Sequence, residues 1–510
     1  MARIAVIGAG MGAMAAAARL AVAGHRVAVY ERASTYGGAV GRFERDGFAF
    51  DTGPGLLQLP AVYRDLFAKT GKESLEQCVG LTPVDPAARH LFADGTDVSL
   101  PNASRAGVVA ALDSALGAGA GVRWGEFLTR ARDAWDRTRR PLLEEPLRPD
   151  RQALARDPYP SVPHRRVLRR SRAAGTLAEV GEWELSDPRL AALLESYALA
   201  YGLDPRDAPA SAAVLPYMEQ TFGNWYVAGG MRELARALYE RCLARRVEFT
   251  FGAEVRGLLE KEGRVAGVEL ADGTAVDADS VVAAVHPSRL SALLRGPDQE
   301  LFAEDRVRRD GPRGRAGRVT VCLALSGPRD PGVAHRTVVH TAGRDDELRG
   351  LFHRGHEDSA ARRPTVWVSR PDDPALRPDA AHEAVVLTAA APPPDRCDWS
   401  APGVADTWAD EMTAVAGAAM EGLAGRVLWH EVRTPADTAD ATGAPEGGMP
   451  SPALAGAGGA YLAPANTTRL PGLYFAGGWA HPGGGLAHAG MSGALVAGLI
   501  VEGDGFRGSQ

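Results

Sequence analysis

At 510 residues the chain is longer than one hydrophobic core usually organises, so two or more structural units are expected. An apolar fraction of 45%, a charged fraction of 24% and a net charge of −6 describe an ordinary globular protein and give no reason to expect a nucleic-acid partner. Cys78, Cys242, Cys322 and Cys397 are scattered with no CxxC pair, so neither a disulfide framework nor a metal site is expected.

Met1-Ala2-Arg3 runs straight into a strand-like segment, and no apolar stretch of ~20 residues is uninterrupted. The expectation is a cytoplasmic protein without a spanning helix, and docking on the inner face of a membrane is compatible with it.

Arg3 to Ile7 is a β-branched run, followed by the glycine turn Gly8-Ala9-Gly10-Met11-Gly12-Ala13. An Ala-rich helix is predicted from Met14 to Ala23, then a strand from His25 to Tyr30 with Glu31 at its end. Strand, glycine turn, helix, strand and acid is the order of a dinucleotide-binding βαβ unit. Gly8 permits the tight turn, Gly10 lets a pyrophosphate reach the helix N-terminus, and Ala13 is small enough for helix-to-strand packing. Glu31, 23 positions after Gly8, is placed to accept from ribose hydroxyls and disfavours a 2′-phosphate.

Next come Tyr36-Gly37-Gly38-Ala39-Val40-Gly41-Arg42 and Gly47-Phe48-Ala49-Phe50-Asp51-Thr52-Gly53-Pro54-Gly55. Here the sequence resembles the phytoene-desaturase-like branch of the FAD-dependent amine-oxidase superfamily. In that family a Gly-Gly pair and a basic residue contact the diphosphate and ribityl region, and a "GF-aromatic-D-x-GP" segment follows. The resemblance implies FAD, held by Gly8, Gly10, Gly12, Ala13, Glu31, Arg32, Gly37, Gly38, Gly53, Pro54 and Gly55. Ala39 stands where the family usually has Arg or Lys, so Arg42 is expected to supply the charge.

Arg89 to Leu100 reads as a hairpin around Asp94-Gly95, and Ala106 to Gly119 and Trp124 to Leu143 read as helices. Pro146 to Pro163 is proline-rich and loop- or lid-like, and Val162 to Arg172 carries five arginines. A solvated helix face is the simpler reading of those arginines, and a membrane-docking patch the alternative. Phe222 to Met231, leading into a helix from Arg232 to Arg245, resembles the family segment that returns the chain to the FAD domain. In the following β-rich stretch Val255 matches a family position with a backbone contact to adenine. His335 to Pro394 matches the family's substrate-domain sheet, with strand-like alternation in Thr365 to Val368.

Gly472 to Leu486 forms a second glycine-rich strand-to-helix segment, continuing through His488 to an apolar helix ending near Ile500. It resembles the family's "HPG-x-G" clamp, most closely in its hydroxyneurosporene 3,4-desaturase subgroup. Gly477, Gly478, Gly485 and Leu486 are therefore expected against the flavin, with helix dipole favouring the reduced, anionic ring. His481 and His488 are the candidate proton acceptors, with orientation of the loop the competing role for His481. Trp225, Tyr226 and Trp479 are candidate walls of a substrate channel, or equally of a packed core.

The fold expected is α/β: a Rossmann-like FAD-binding domain of the glutathione-reductase/amine-oxidase type, with an α+β substrate domain inserted. The first comprises 1–83, 230–312 and 465–510, and the second 84–229 and 313–464 with a helical lid or membrane-facing part. The function implied is desaturation of a C–C bond in an apolar small molecule, an acyclic carotenoid, with oxygen or a quinone reoxidising the flavin. The rivals are oxidation of an amine or amino acid on the same scaffold, and a non-redox flavoprotein isomerase or scaffold.

Overall fold

The strand Arg3–Ile7 is buried over Ile4–Ile7, as a strand in a parallel sheet covered on both faces must be. In the computed structural model, which describes residues 1–163, 171–294, 301, 315–356, 363–448 and 450–508, it is the centre of a five-stranded sheet. The strand order is Glu248–Phe251, Arg26–Glu31, Arg3–Ile7, Ser280–Ala283, Leu473–Phe475, and every pairing is parallel. Three distant stretches of chain thus share one sheet, and their C-terminal ends converge on one edge.

The helix Met11–Val22 follows the first strand, and the helix Leu486–Glu502 packs along it. Small residues permit this: a Cβ on Gly493 would stand 2.6 Å from the Gly12 carbonyl oxygen, and one on Gly12 would stand 2.6 Å from the Gly477 Cα. The first and last glycine segments are therefore held together by direct backbone packing.

A second, seven-stranded sheet runs Val427–Arg433, Gly317–Ser326, His382–Ala391, Val366–Ser369, Arg336–Val339, Ala88–Leu91, Asp97–Leu100. Its last two strands are the hairpin read from Asp94-Gly95, with Gly95 N–H donating to the Phe92 carbonyl. The hairpin Arg42–Arg45 and Phe48–Asp51 lies against this sheet, Phe48 and Phe50 packing with Cys322, Ala324 and Trp429. Beside these sheets lies a helical layer, in whose core are buried Trp124 and Phe127 of the helix Ala120–Arg139 and Leu193 and Leu194 of the helix Pro188–Leu199.

One reading of the arginine-rich stretch is corrected. Val162 pairs with Arg172, and Pro163 with Ser171, as a short antiparallel ladder, so the two ends of the stretch are strands and not helix. Residues 164–170, with Arg165, Arg166, Arg169 and Arg170, lie outside the described residues. Arg172 is tied to the protein instead, its guanidinium 4.1 Å above the Trp183 ring.

Candidate active site

Gly8 turns the chain with φ +94°, its N–H donating to the Tyr30 carbonyl at 2.8 Å. A Cβ there would meet the Ala284 carbonyl oxygen at 3.0 Å, so the turn is closed against the neighbouring strand. Gly10 caps the following helix with ordinary extended angles, φ −72° and ψ 171°, and nothing lies within 4 Å of where its Cβ would be. Gly8 is demanded by the chain, whereas Gly10 leaves a space in front of the helix N-terminus, where backbone N–H groups favour an anion.

Glu31 accepts from the Ala9 N–H at 2.7 Å through one carboxylate oxygen and from Ala33 N–H at 2.8 Å through the other. It therefore braces the glycine turn as well as facing the cavity, and each oxygen keeps a further lone pair. Gly37 N–H donates to the Ala9 carbonyl at 2.8 Å, which draws the Gly37-Gly38 loop beside Gly10. That loop is held from behind by Arg232, which donates to the Tyr36 and Val40 carbonyls and to Thr35 Oγ1, and lies over the Tyr36 ring. Sequence reading missed Arg232, and its place beside the Gly229-Gly230-Met231 turn is the only signal that could have found it.

Arg42 does not take the expected role. It does not line the cavity; it donates to the Gly229 carbonyl at 2.9 Å and pairs with Glu44 at 2.6 Å. Arg42 and Glu44 fall on one face of the strand Arg42–Arg45, and the guanidinium held there reaches the Gly229 carbonyl. Arg32 lines the cavity but spends its guanidinium on the Asp440 and Ala441 carbonyls at the end of the helix Pro435–Thr442. Asp51, the acid of the quoted motif though not among the expected site residues, lines the cavity and accepts from Met231 N–H at 2.8 Å, with burial raising its pKa to about 6.

From the other end of the chain come Gly477, Gly478, Gly485 and Leu486, all on the same cavity. Ser492 Oγ takes the Gly477 N–H at 3.1 Å, and buried Asn466 joins the Phe475 and His481 carbonyls to that serine. Tyr63 O–H holds the Leu486 carbonyl at 2.9 Å. The two histidines separate. His488 lines the cavity, with burial lowering its pKa to about 4, so it is neutral at physiological pH. His481 does not reach the cavity: it is fully buried, its Nε2 lies 2.9 Å from the Glu145 carbonyl, and it anchors the loop.

The cavity has a volume of about 850 Å³ and joins these glycine segments to a compartment between the helical layer and the seven-stranded sheet. Val255, Gly53, Pro54, Gly55, Ala13 and Gly12 also line it. Phe50, Leu56, Leu215, Met218, Trp367 and Val386 give the far side an apolar wall. Tyr226 lines the cavity, and its O–H donates to Asp373 at 2.8 Å. Trp479 lines it too, edge-to-face with His286 at 4.6 Å. Trp225 does not: on the strand Trp225–Val227 it faces away from its neighbour, beneath the Arg64 guanidinium.

A dinucleotide fits these residues. The unfilled space at Gly10, and the equally open one at Gly55, are cradles that a side chain would fill, and Glu31 stands beside the first at a strand end.

The sequence model of the flavin containing amine oxidoreductases matches residues 14–501. The chain belongs to that family. It is an FAD-dependent oxidoreductase of the α/β fold expected. Among relatives, a 4,4'-diapolycopene oxygenase from a Methylomonas species is 29% identical, with 98% of each chain covered. A hydroxyneurosporene desaturase from Cereibacter sphaeroides is 30% identical over 98% of this chain and 97% of its own. Among solved structures, an oxidoreductase from Methanosarcina mazei shares the fold at a TM-score of 0.64 and 18% identity, covering 97% of this chain and 99% of its own.

Proposed function

We propose that this flavin enzyme desaturates a C–C bond of an acyclic carotenoid. The observation that carries the reading is the single cavity in which the glycine cradle opens onto an apolar compartment, here in a family member whose full-length relatives are named for carotenoid oxidation. When bound, FAD supplies an acceptor for the hydride leaving the substrate carbon.

The protein's part is placement and exclusion of water. Apolar walls hold a polyene, and the N-terminus of Leu486–Glu502 presents partial positive charge to the cavity. A proton must also leave the neighbouring carbon. The developing cation is delocalised along a polyene, so a strong base is unnecessary. Asp51 and neutral His488 are among the cavity groups able to take that proton, whereas His481 lies off the cavity.

An apolar polyene partitions into bilayers, so the enzyme works at a membrane surface in this reading, and oxygen or a membrane quinone takes the electrons. Among the described residues no helix is long and apolar enough to cross a membrane. The test is product analysis: holoprotein with an acyclic carotenoid in liposomes should yield a product lighter by two hydrogens and red-shifted in absorption. Recovery of unchanged carotenoid, alongside turnover of an amine, would remove the proposal.

A further inference from the structure

The apolar compartment is interrupted by polar groups that no hydrocarbon requires. Glu219 of the helix Val214–Phe222 and Arg336 at the start of the strand Arg336–Val339 both line the cavity and pair through two bonds, of 2.6 and 3.1 Å. Gln58, another cavity residue, donates to the same carboxylate at 3.0 Å. Arg318 and Tyr201 line the same cavity, and Tyr201 lies within electrostatic reach of Glu219, Arg318 and Arg336. One guanidinium and one carboxylate therefore meet at this wall, with a second guanidinium, that of Arg318, within electrostatic reach of Tyr201.

Removing such charges from water is costly, and apolar residues of similar volume would join helix to sheet without that cost. The molecule joins other elements by ion pairs outside the cavity, such as Arg344–Glu195, so a brace does not need to be built into the substrate wall. Donors predominate. Both bonds of Arg336 to Glu219 leave guanidinium N–H groups over, and the Tyr201 hydroxyl adds another donor at the cavity surface. A donor-rich patch in an apolar compartment matches one acceptor oxygen on an otherwise apolar ligand.

We infer that Arg336, held by Glu219, and Tyr201 form a recognition site for a hydroxyl or carbonyl oxygen on the polyene, and so determine which polyenes are accepted. This rests on the desaturase reading above. A site built to hydrogen-bond a substrate oxygen discriminates strongly against the analogue lacking it, because its own polar groups are then left unpaired.

The test compares three acyclic polyenes of equal length in liposomes: a hydrocarbon, its terminal alcohol and its terminal ketone. Their affinities for the holoprotein are read from the shift in polyene absorption, and their desaturation from product mass. The expected result is binding of at least one oxygenated polyene at least about tenfold tighter than the hydrocarbon. That ratio should fall toward one in Tyr201→Phe and in the double variant Glu219→Gln/Arg336→Gln. Tyr201→Phe removes a single hydroxyl, so it keeps the test valid if the double variant melts early.

Equal or tighter binding of the hydrocarbon, or a ratio that survives in folded variants, overturns the inference while leaving desaturation intact. Failure of every polyene to bind or lose hydrogen overturns both. The alcohol and ketone arms separate the two sources of oxygen.

Discussion

Gly10→Ala is expected to leave the apoprotein folded and stable while weakening FAD binding by roughly 5- to 150-fold. The substitution adds one methyl group at a residue whose angles, φ −72° and ψ 171°, any residue adopts, and nothing lies within 4 Å of the new atom. The empty protein therefore has nothing to repack, and its melting temperature should hold.

The added volume enters the space in front of the helix N-terminus, and forcing one methyl into a filled site costs about 1–3 kcal/mol, which gives the range above. Gly12→Ala is the contrasting control: its Cβ would stand 2.6 Å from the Gly477 Cα and 2.9 Å from the Ala489 carbonyl oxygen. Backbone must move there, so the apoprotein itself should lose about 1–3 kcal/mol. The assay is FAD titration by flavin fluorescence quenching together with apoprotein melting. Wild-type affinity in a folded Gly10→Ala protein would refute the cradle, and an unfolded Gly10→Ala apoprotein would refute the reasoning about its space.

Arg232→Met removes the brace behind the Gly37-Gly38 loop without touching the cavity, and should weaken FAD binding by about tenfold, in line with loss of charged hydrogen bonds. Unchanged FAD affinity by the same titration would show that the loop holds itself. Glu31→Gln offers an amide N–H to a backbone N–H at Ala9 or Ala33, so it should lower both melting temperature and FAD affinity, and an unaltered titration would count against the turn brace.

Acid should destabilise the fold through its buried neutral histidines. Burial holds His340 at about 3 and His335, His481 and His488 at about 4, whereas each takes up a proton near 6.5 when unfolded. The unfolded state then binds more protons below pH 6.5, so stability present above that value is lost as pH falls from 6.5 toward 4. Each group contributes up to about 1.4 kcal/mol per pH unit in that window. Melting curves between pH 7 and 5 should show the fall, and a flat profile would contradict it.

The parts of the site legible in the sequence are those built by consecutive residues. Gly8, Gly10 and Glu31 belong to one βαβ unit whose spacing shows them, and Gly477 to Leu486 to one strand-to-helix passage that the family resemblance pointed to; all of them line the cavity except where His481 and its loop turn away. Roles that depend on distant partners were not legible. Arg232 grips carbonyls 192 and 196 residues away, which no local pattern displays. Arg42 offered a charge in the right neighbourhood, but Gly229, 187 residues on, accepts it.

Adjacent aromatic residues carry no label for which face they take: Tyr226 turns to the cavity and Trp225 to Arg64. His481 and His488 are both buried, and only packing against Glu145 decides that the first is an anchor. At the two ends of the arginine-rich stretch, Val162-Pro163 and Ser171-Arg172 pair with each other across the sequence, which charge content does not display.

Anaerobic bleaching of the bound flavin tests the central claim most directly. Acyclic carotenoids in liposomes should bleach the flavin absorption of the purified holoprotein, while soluble amines and amino acids leave it oxidised. Bleaching by an amine or amino acid, with carotenoids inert, would contradict the desaturase account and leave the fold and the FAD site standing.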